Sequence, residues 1–323
     1  MIKRWILLWL LFLFPFTVFA YSSSIYVGGE TIGIAVQSKG VYVVGFYPVE
    51  GEYIGKNNGF LEGDIIVQIN QAEISSIDDL YSELEKDESF SVEVLRNNQF
   101  ITLNPKFSLQ ESSLKTGLYV KDNIQGIGTL SYIDPETHVF GSLGHEIVES
   151  SSQSRFLINQ GAIFKAEVDS VRKSEYGVVG SKKAVIDSNK DIGIIEANEE
   201  EGIFGFYQDD IQDKELMEIA KPSEIKRGKA VIRTVLEDNK IEEYDIQVLT
   251  IEDSLDTKNI FFEITDSNLL KETGGIIQGM SGSPIIQNHK VIGVVNYVVV
   301  DDPYKGYGIF ITKMLEKGDK ILD

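Results

Sequence analysis

The stretch Gly275-Ile276-Ile277-Gln278-Gly279-Met280-Ser281-Gly282-Ser283-Pro284-Ile285-Ile286 decides how this chain is read. A serine between near glycines sits on a tight turn with its hydroxyl exposed. Glycine at position 279 supplies the unusual backbone angles such a turn needs. The N–H groups of Gly279 and Ser281 then converge on one point. That is an oxyanion hole, in which one donor is worth about 3 kcal/mol of transition-state stabilisation. Pro284 ends the turn, Ile285-Ile286 opens a strand, Asn288-His289 turns it, and Val291-Ile292-Gly293-Val294-Val295-Asn296 returns as the second arm of a hairpin. Ser283 is the rival nucleophile.

A serine hydroxyl needs a base. The 323 residues include no cysteine and three histidines, so thiolate chemistry, disulfides and cysteine-ligated metals are excluded and the imidazole must be His138, His145 or His289. His145 lies in Gly141-Ser142-Leu143-Gly144-His145-Glu146-Ile147, presented beside glycine as on a turn, and is the candidate base. His138 approaches a strand and reads as structural; His289 sits at a hairpin turn and reads as exposed. For the acid that orients the base, the residues leave two choices. Asp191, in Asp191-Ile192-Gly193-Ile194-Ile195, is slightly favoured by its spacing from His145; Asp266, in Ile264-Thr265-Asp266-Ser267, precedes the nucleophile. No metal cluster and no cofactor motif is visible, so none is expected.

Length and composition fit two folded domains. The net charge of −20, from 50 acidic against 30 basic residues, repels phosphate backbones and argues against nucleic acid as a partner. At the N-terminus Lys3 and Arg4 precede an apolar run over 5–20, interrupted by Pro15 and followed by Ser22-Ser23-Ser24. This order reads as a signal peptide or membrane anchor over 1–22, which places the remainder outside the cytoplasm.

Residues 23–107 read as a small β-rich unit. Ile32-Gly33-Ile34-Ala35-Val36 and Gly40-Val41-Tyr42-Val43-Val44-Gly45-Phe46 are strands. Gly63-Asp64 turns into Ile65-Ile66-Val67-Gln68-Ile69. Ser76 caps a helix with Ile77, Leu80, Tyr81 and Leu84 at helical spacing, and Asn97-Asn98 closes a hairpin. This order resembles a PDZ domain of the bacterial protease-associated kind, carried by Leu61 to Asn70 and the following helix. The resemblance implies peptide binding at a sheet edge, with Gly33, Ile34 and Ala35 near the carboxylate loop. Residues 108–120 read as a joint. From there on, short strands with recurrent glycines predict an all-β barrel or sandwich.

The turn at Ser281 and its hairpin resemble the nucleophile region of chymotrypsin-like serine proteases, and Gly308-Ile309-Phe310-Ile311-Thr312-Lys313 is similar to their closing strand. That resemblance implies an all-β double barrel over 108–323 and a substrate-pairing edge at Asn296-Tyr297-Val298. The expected chain is therefore mainly β: a signal or anchor, a PDZ-like α+β domain, then a chymotrypsin-like peptidase domain.

A wider match runs the length of the chain. Gly-Ser-Leu-Gly-His at 141–145, Gly202-Ile203-Phe204-Gly205, and Thr265-Asp266 with Thr273-Gly274-Gly275 to Pro284 resemble the stage IV sporulation protein B family of signalling peptidases. The family's essential histidine, aspartate and serine fall on His145, Asp266 and Ser281. The resemblance selects Asp266 over Asp191, either orienting His145 or shaping the nucleophile loop. It further implies a chain in the space between forespore and mother-cell membranes. There it would cleave itself and a membrane-anchored regulator, and so activate a sigma factor through an intramembrane protease. Two alternatives are a general quality-control protease with a PDZ domain and a non-catalytic binding protein.

Overall fold

Two strands of 16 residues each, Thr31–Phe46 and Leu118–Ile133, organise the chain. They run antiparallel, from Thr31 opposite Thr129 to Phe46 opposite Leu118. The computed structural model describes residues 21–86, 89–110 and 113–322. The expected signal or anchor over 1–22 lies outside the described residues except for its last two positions. No helix among the described residues is long and apolar enough to cross a membrane.

The pattern of the first long strand shows what covers each of its faces. Ile32, Ile34, Val36 and Tyr42 enter one core together with Leu130, Phe140, Phe156 and Ile163. Val41 and Val43, pointing the other way, enter a second core with Phe60, Ile66, Leu80 and Val92. Alternation is visible where one face is buried. The unbroken apolar run Val41-Tyr42-Val43 marks the part buried on both.

Strand pairing closes two six-stranded antiparallel barrels. The first runs Leu118–Ile133, Thr31–Phe46, Ile158–Arg172, Gly180–Glu199, Gly202–Tyr207, Val139–Ser142 and back to Leu118–Ile133. The second runs Gly228–Val235, Ile241–Ile251, Ile260–Ile264, Lys305–Phe310, Lys290–Val298, Pro284–Gln287 and back to Gly228–Val235. Closure leaves neither barrel an open sheet edge. The second barrel holds its own core, with Ile232, Ile246, Phe262, Ile285 and Phe310 all buried. At about 1.5–3 kcal/mol for each fully buried side chain of this size, these cores supply the main driving force.

A third buried layer, including Ile25, Tyr132, Phe204, Ile286 and Val294, joins the barrels. The helix Ile311–Gly318 seals it with Ile311, Met314 and Leu315. The closing strand therefore stops at Phe310, short of the expected Lys313. The spacing of those three apolar residues suits a helix face and not a pleat.

The small unit lies between consecutive strands of the first barrel. Its own strands are Ile65–Ile69, Val92–Arg96 and Gln99–Leu103. They continue the sheet from Val41 and Tyr42, which pair with Ile66 and Ile65. The helix Ile77–Leu84 packs Leu80 and Leu84 into that core, and Ser76 caps it by accepting from the Asp79 N–H at 3.1 Å. Asn97 and Asn98 both adopt positive φ, as a two-residue hairpin turn demands. Upstream, Ser24–Val27 and Thr31–Gln37 pair with strands of the large unit. The small core thus begins near Val41 and is completed by Leu118. The two long strands are common to both units.

Candidate active site

Gly279 and Gly282 adopt φ of +94° and +93° on either side of Ser281. Neither the Gly279 nor the Ser281 N–H has an acceptor among the described residues, whereas Gly282 and Ser283 donate to Val295 and Met280. The two free donors are those expected of an oxyanion hole. Ser281 is half-buried and lines an open cleft of about 810 Å³; Ser283 is wholly buried beneath it. Of these two serines, Ser281 opens on the cleft and Ser283 does not.

Neighbouring strands fix the loop from the first barrel. Thr129 donates its N–H to the Ser281 carbonyl at 3.0 Å and its hydroxyl to the Gly279 carbonyl at 2.7 Å. The Ser131 hydroxyl donates to the Gly282 carbonyl at 2.9 Å. A side chain at position 282 would collide with the Thr129 carbonyl, so glycine is required there for close approach as well as for its φ.

His145 lines the same cleft. It follows the barrel strand Val139–Ser142 through Leu143 and Gly144, both at positive φ. A Cβ on Gly144 would lie 2.9 Å from Val294 and 3.2 Å from the Cβ of Asn296 in the second barrel. Glycine lets the histidine loop rest directly on that barrel. The ring stacks on Tyr297 with centroids 5.7 Å apart. Nδ1 lies 2.8 Å from the Glu146 carbonyl oxygen; a proton there leaves Nε2 as the basic nitrogen. Burial pushes the His145 pKa below its ordinary value, partly offset by the Glu146 carbonyl contact and the Glu146 charge. The ring is thus neutral and able to accept a proton near pH 7. No hydrogen bond joins His145 to Ser281 in this structure, a separation common before substrate binds.

Among the described residues no carboxylate is hydrogen-bonded to the imidazole. Asp266 is the N-cap of the helix Ser267–Thr273, accepting from the N–H groups of Asn268 and Leu269 at 2.9 Å each. Its orienting role is therefore not seen; it caps the helix that leads into the nucleophile loop. That helix ends at Gly274, where Thr273 bonds the carbonyls of Leu269 and Gly275. Asp191 is exposed on a barrel strand opposite Phe164. Glu146, adjacent to the base, is engaged by Arg155 at 2.6 Å. His138 and His289 are exposed and outside the cleft; the sequence indicates exposure for His289, whereas His138 reads there as structural.

Gly33, Ile34 and Ala35 do not form a carboxylate loop. They pair with Ile127, Gly126 and Gln125 on one side and with Phe164, Ile163 and Ala162 on the other. A strand flanked on both sides has no open edge for a peptide. Ile34 instead lines the cleft shared by His145 and Ser281. Sequence reasoning missed Thr129 and Lys182. No local pattern marks either, since their partners lie far away in the chain. No group of residues suited to a metal ion occurs among the described residues.

The model of the SpoIVB peptidase S55 family matches residues 112–315, more than half of the chain. A search of curated proteins finds no match. Among solved structures, the active form of the Rv3671c protease from M. tuberculosis aligns at 14% identity and a TM-score of 0.29, covering 59% of this chain and 71% of that one. A human heparin binding protein aligns at 13% identity and a TM-score of 0.26, covering 60% and 83%. These structural likenesses are too low to carry an argument; the family match covers the histidine loop, the cap and the nucleophile turn together. The chain belongs to the SpoIVB peptidase S55 family and is a serine peptidase.

Proposed function

We propose that this chain is a signalling endopeptidase of chymotrypsin-like design, acting outside the cytoplasm during sporulation. Ser281 attacks the scissile carbonyl while Nε2 of His145 takes its proton and later gives it to the leaving amine. The Gly279 and Ser281 amides hold the oxyanion, and water hydrolyses the acyl-enzyme. The carrying observation is that Ser281 and His145 face one cleft between two closed barrels, beside two backbone donors without acceptors. Asp266 shapes the nucleophile loop through its helix cap. The substrates are the chain itself and a membrane-anchored regulator. The small unit is a PDZ-like module that binds a peptide terminus or the membrane partner; its helix packed on a short sheet supports that reading. The segment 1–22 brings the chain to the membrane, in the space between forespore and mother cell.

Full-length chain, its Ser281→Ala variant and its Ser283→Ala variant, treated with a fluorophosphonate and read by mass spectrometry, test the chemistry. Labelling lost only with Ser281→Ala is expected; loss only with Ser283→Ala would overturn the assignment. In an endospore-forming host, an allele carrying Ser281→Ala should block mother-cell sigma-factor activation. Normal activation would sink the signalling role.

A further inference from the structure

Lys182 is buried, at 4% exposure, directly beneath the nucleophile loop. It follows Ser181, which pairs with Gln278, so the strand carries it under Gly279. A Cβ on Gly279 would lie 3.1–3.2 Å from the hydrocarbon stem of Lys182. Its Nζ donates to the hydroxyls of Thr31 at 3.2 Å and Thr234 at 2.9 Å. No carboxylate among the described residues pairs with it. Burial of a charge is ordinarily compensated by an opposite charge, and a lysine held only by two hydroxyls is an expensive arrangement. The residue also lines the cleft that holds Ser281 and His145.

We propose that Lys182 is a positioning residue of the peptidase: its stem supports Gly279 in the conformation that opens the oxyanion hole, and its ammonium adds fixed positive potential beneath the developing oxyanion. The inference rests on Ser281 as nucleophile. A cation in a water-poor site close to a forming negative charge stabilises it without reorganising at the moment of reaction. The arrangement draws on three separate parts of the chain. Thr31 comes from the first barrel, Thr234 from the second, and Lys182 lies against the loop between them.

The state of the ammonium sets a pH limit. Burial lowers the Lys182 pKa from 10.5 to about 7. The groups bonded to Nζ are the Thr31 and Thr234 hydroxyls, and the packed nucleophile loop presents backbone. The flanking Glu30 and Arg233 are engaged with Lys214 and Glu215, and across the cleft stand His145 and Glu146, the latter paired with Arg155. His145 must be neutral and Lys182 charged, so activity is confined between an acid limb from the first and an alkaline limb from the second.

The test is the rate of fluorophosphonate labelling of the full chain across pH, for the parent, Lys182→Met, Thr234→Val and Ser281→Ala. Lys182→Met keeps the stem and removes the charge. It should label about tenfold more slowly at the parent's optimum and lose the alkaline limb while keeping the acid one. Thr234→Val, which strips one acceptor from the ammonium, should move the alkaline limb to lower pH, and it serves if Lys182→Met fails to fold. A parent profile retained by Lys182→Met, or an alkaline limb unmoved in Thr234→Val, overturns the inference while Ser281→Ala stays unlabelled. Labelling that survives in Ser281→Ala overturns the underlying nucleophile assignment instead.

Discussion

Thr129 holds Ser281: its N–H reaches the serine carbonyl at 3.0 Å, so a strand of one barrel fixes the serine loop that leads into the other. Its hydroxyl binds the Gly279 carbonyl at 2.7 Å and sets the same loop a second time. Thr129→Val keeps the shape and the backbone bond but leaves that carbonyl without its hydroxyl donor. We expect about 1–3 kcal/mol of lost stability. Labelling by a fluorophosphonate should slow more than unfolding accelerates, because the released carbonyl belongs to Gly279, whose own N–H is one of the proposed oxyanion donors. Parent labelling rates would show that the hydroxyl has no part in holding the hole.

Asp266 separates two mechanisms by substitution. As a helix cap it is replaceable by asparagine, and Asp266→Asn should retain most activity. Asp266→Ala should lose about 1 kcal/mol of stability and part of the activity. If asparagine instead abolished activity in a folded chain, a charge-dependent role toward His145 would be established and the capping account would fail.

Acid should inactivate the enzyme through His145. Its folded pKa lies below the ordinary histidine value because of burial. The base is therefore neutral, and activity present, above that lowered pKa; activity falls as pH drops through it. Stability has the same sign. Between the folded pKa and the ordinary value the unfolded chain binds more protons, so acidification through that window destabilises the fold. Labelling rates and thermal midpoints from pH 4 to 7 on the parent check both. An activity midpoint above about 6.5 would contradict the direction of the shift.

The small unit has its own anchor. Arg96 grips the fully buried Asp64 through two contacts of 2.6 and 2.7 Å and also donates to the Gly59 carbonyl at 2.8 Å. Removing one partner strands the other charge, so Arg96→Met should destabilise the unit by about 3–5 kcal/mol. Hydrogen exchange should localise the loosening to 41–103. Uniform loosening of both barrels would show that the units melt as one.

Much of this architecture was legible because it is written locally. The glycine at 279, the helix signal from Ser76 to Leu84 and the Asn97-Asn98 turn each carry their reason in adjacent residues. So does the Gly144-His145 pair as a turn, although the close approach to Val294 and Asn296 that the glycine permits could not be read locally. What stayed hidden depends on residues distant in sequence. The apolar run Val41-Tyr42-Val43 indicated a strand, but not that its two faces serve different cores. Gly33-Ile34-Ala35 fits a sheet edge as well as a sheet interior, and only the pairing with 125–127 and 162–164 separates them. Asp266 was singled out by resemblance alone, and an N-cap and an orienting acid demand the same carboxylate. Lys182 gave no signal, since its partners Thr31 and Thr234 come from other strands.

The placement of the small unit between consecutive barrel strands constrains how the chain can be made. Thr31–Phe46 emerges first but finds its neighbour only when Leu118–Ile133 has followed. Pairings between such distant segments are slow to form, and unpaired strand edges meanwhile invite association. A folded small unit draws the two strands together and shortens the loop that must close. A folded small unit therefore favours assembly of the first barrel, and with it the seat of Thr129. A peptidase built in this order acquires its cutting machinery only after the small unit is in place, which holds back cleavage until the chain around the site has folded.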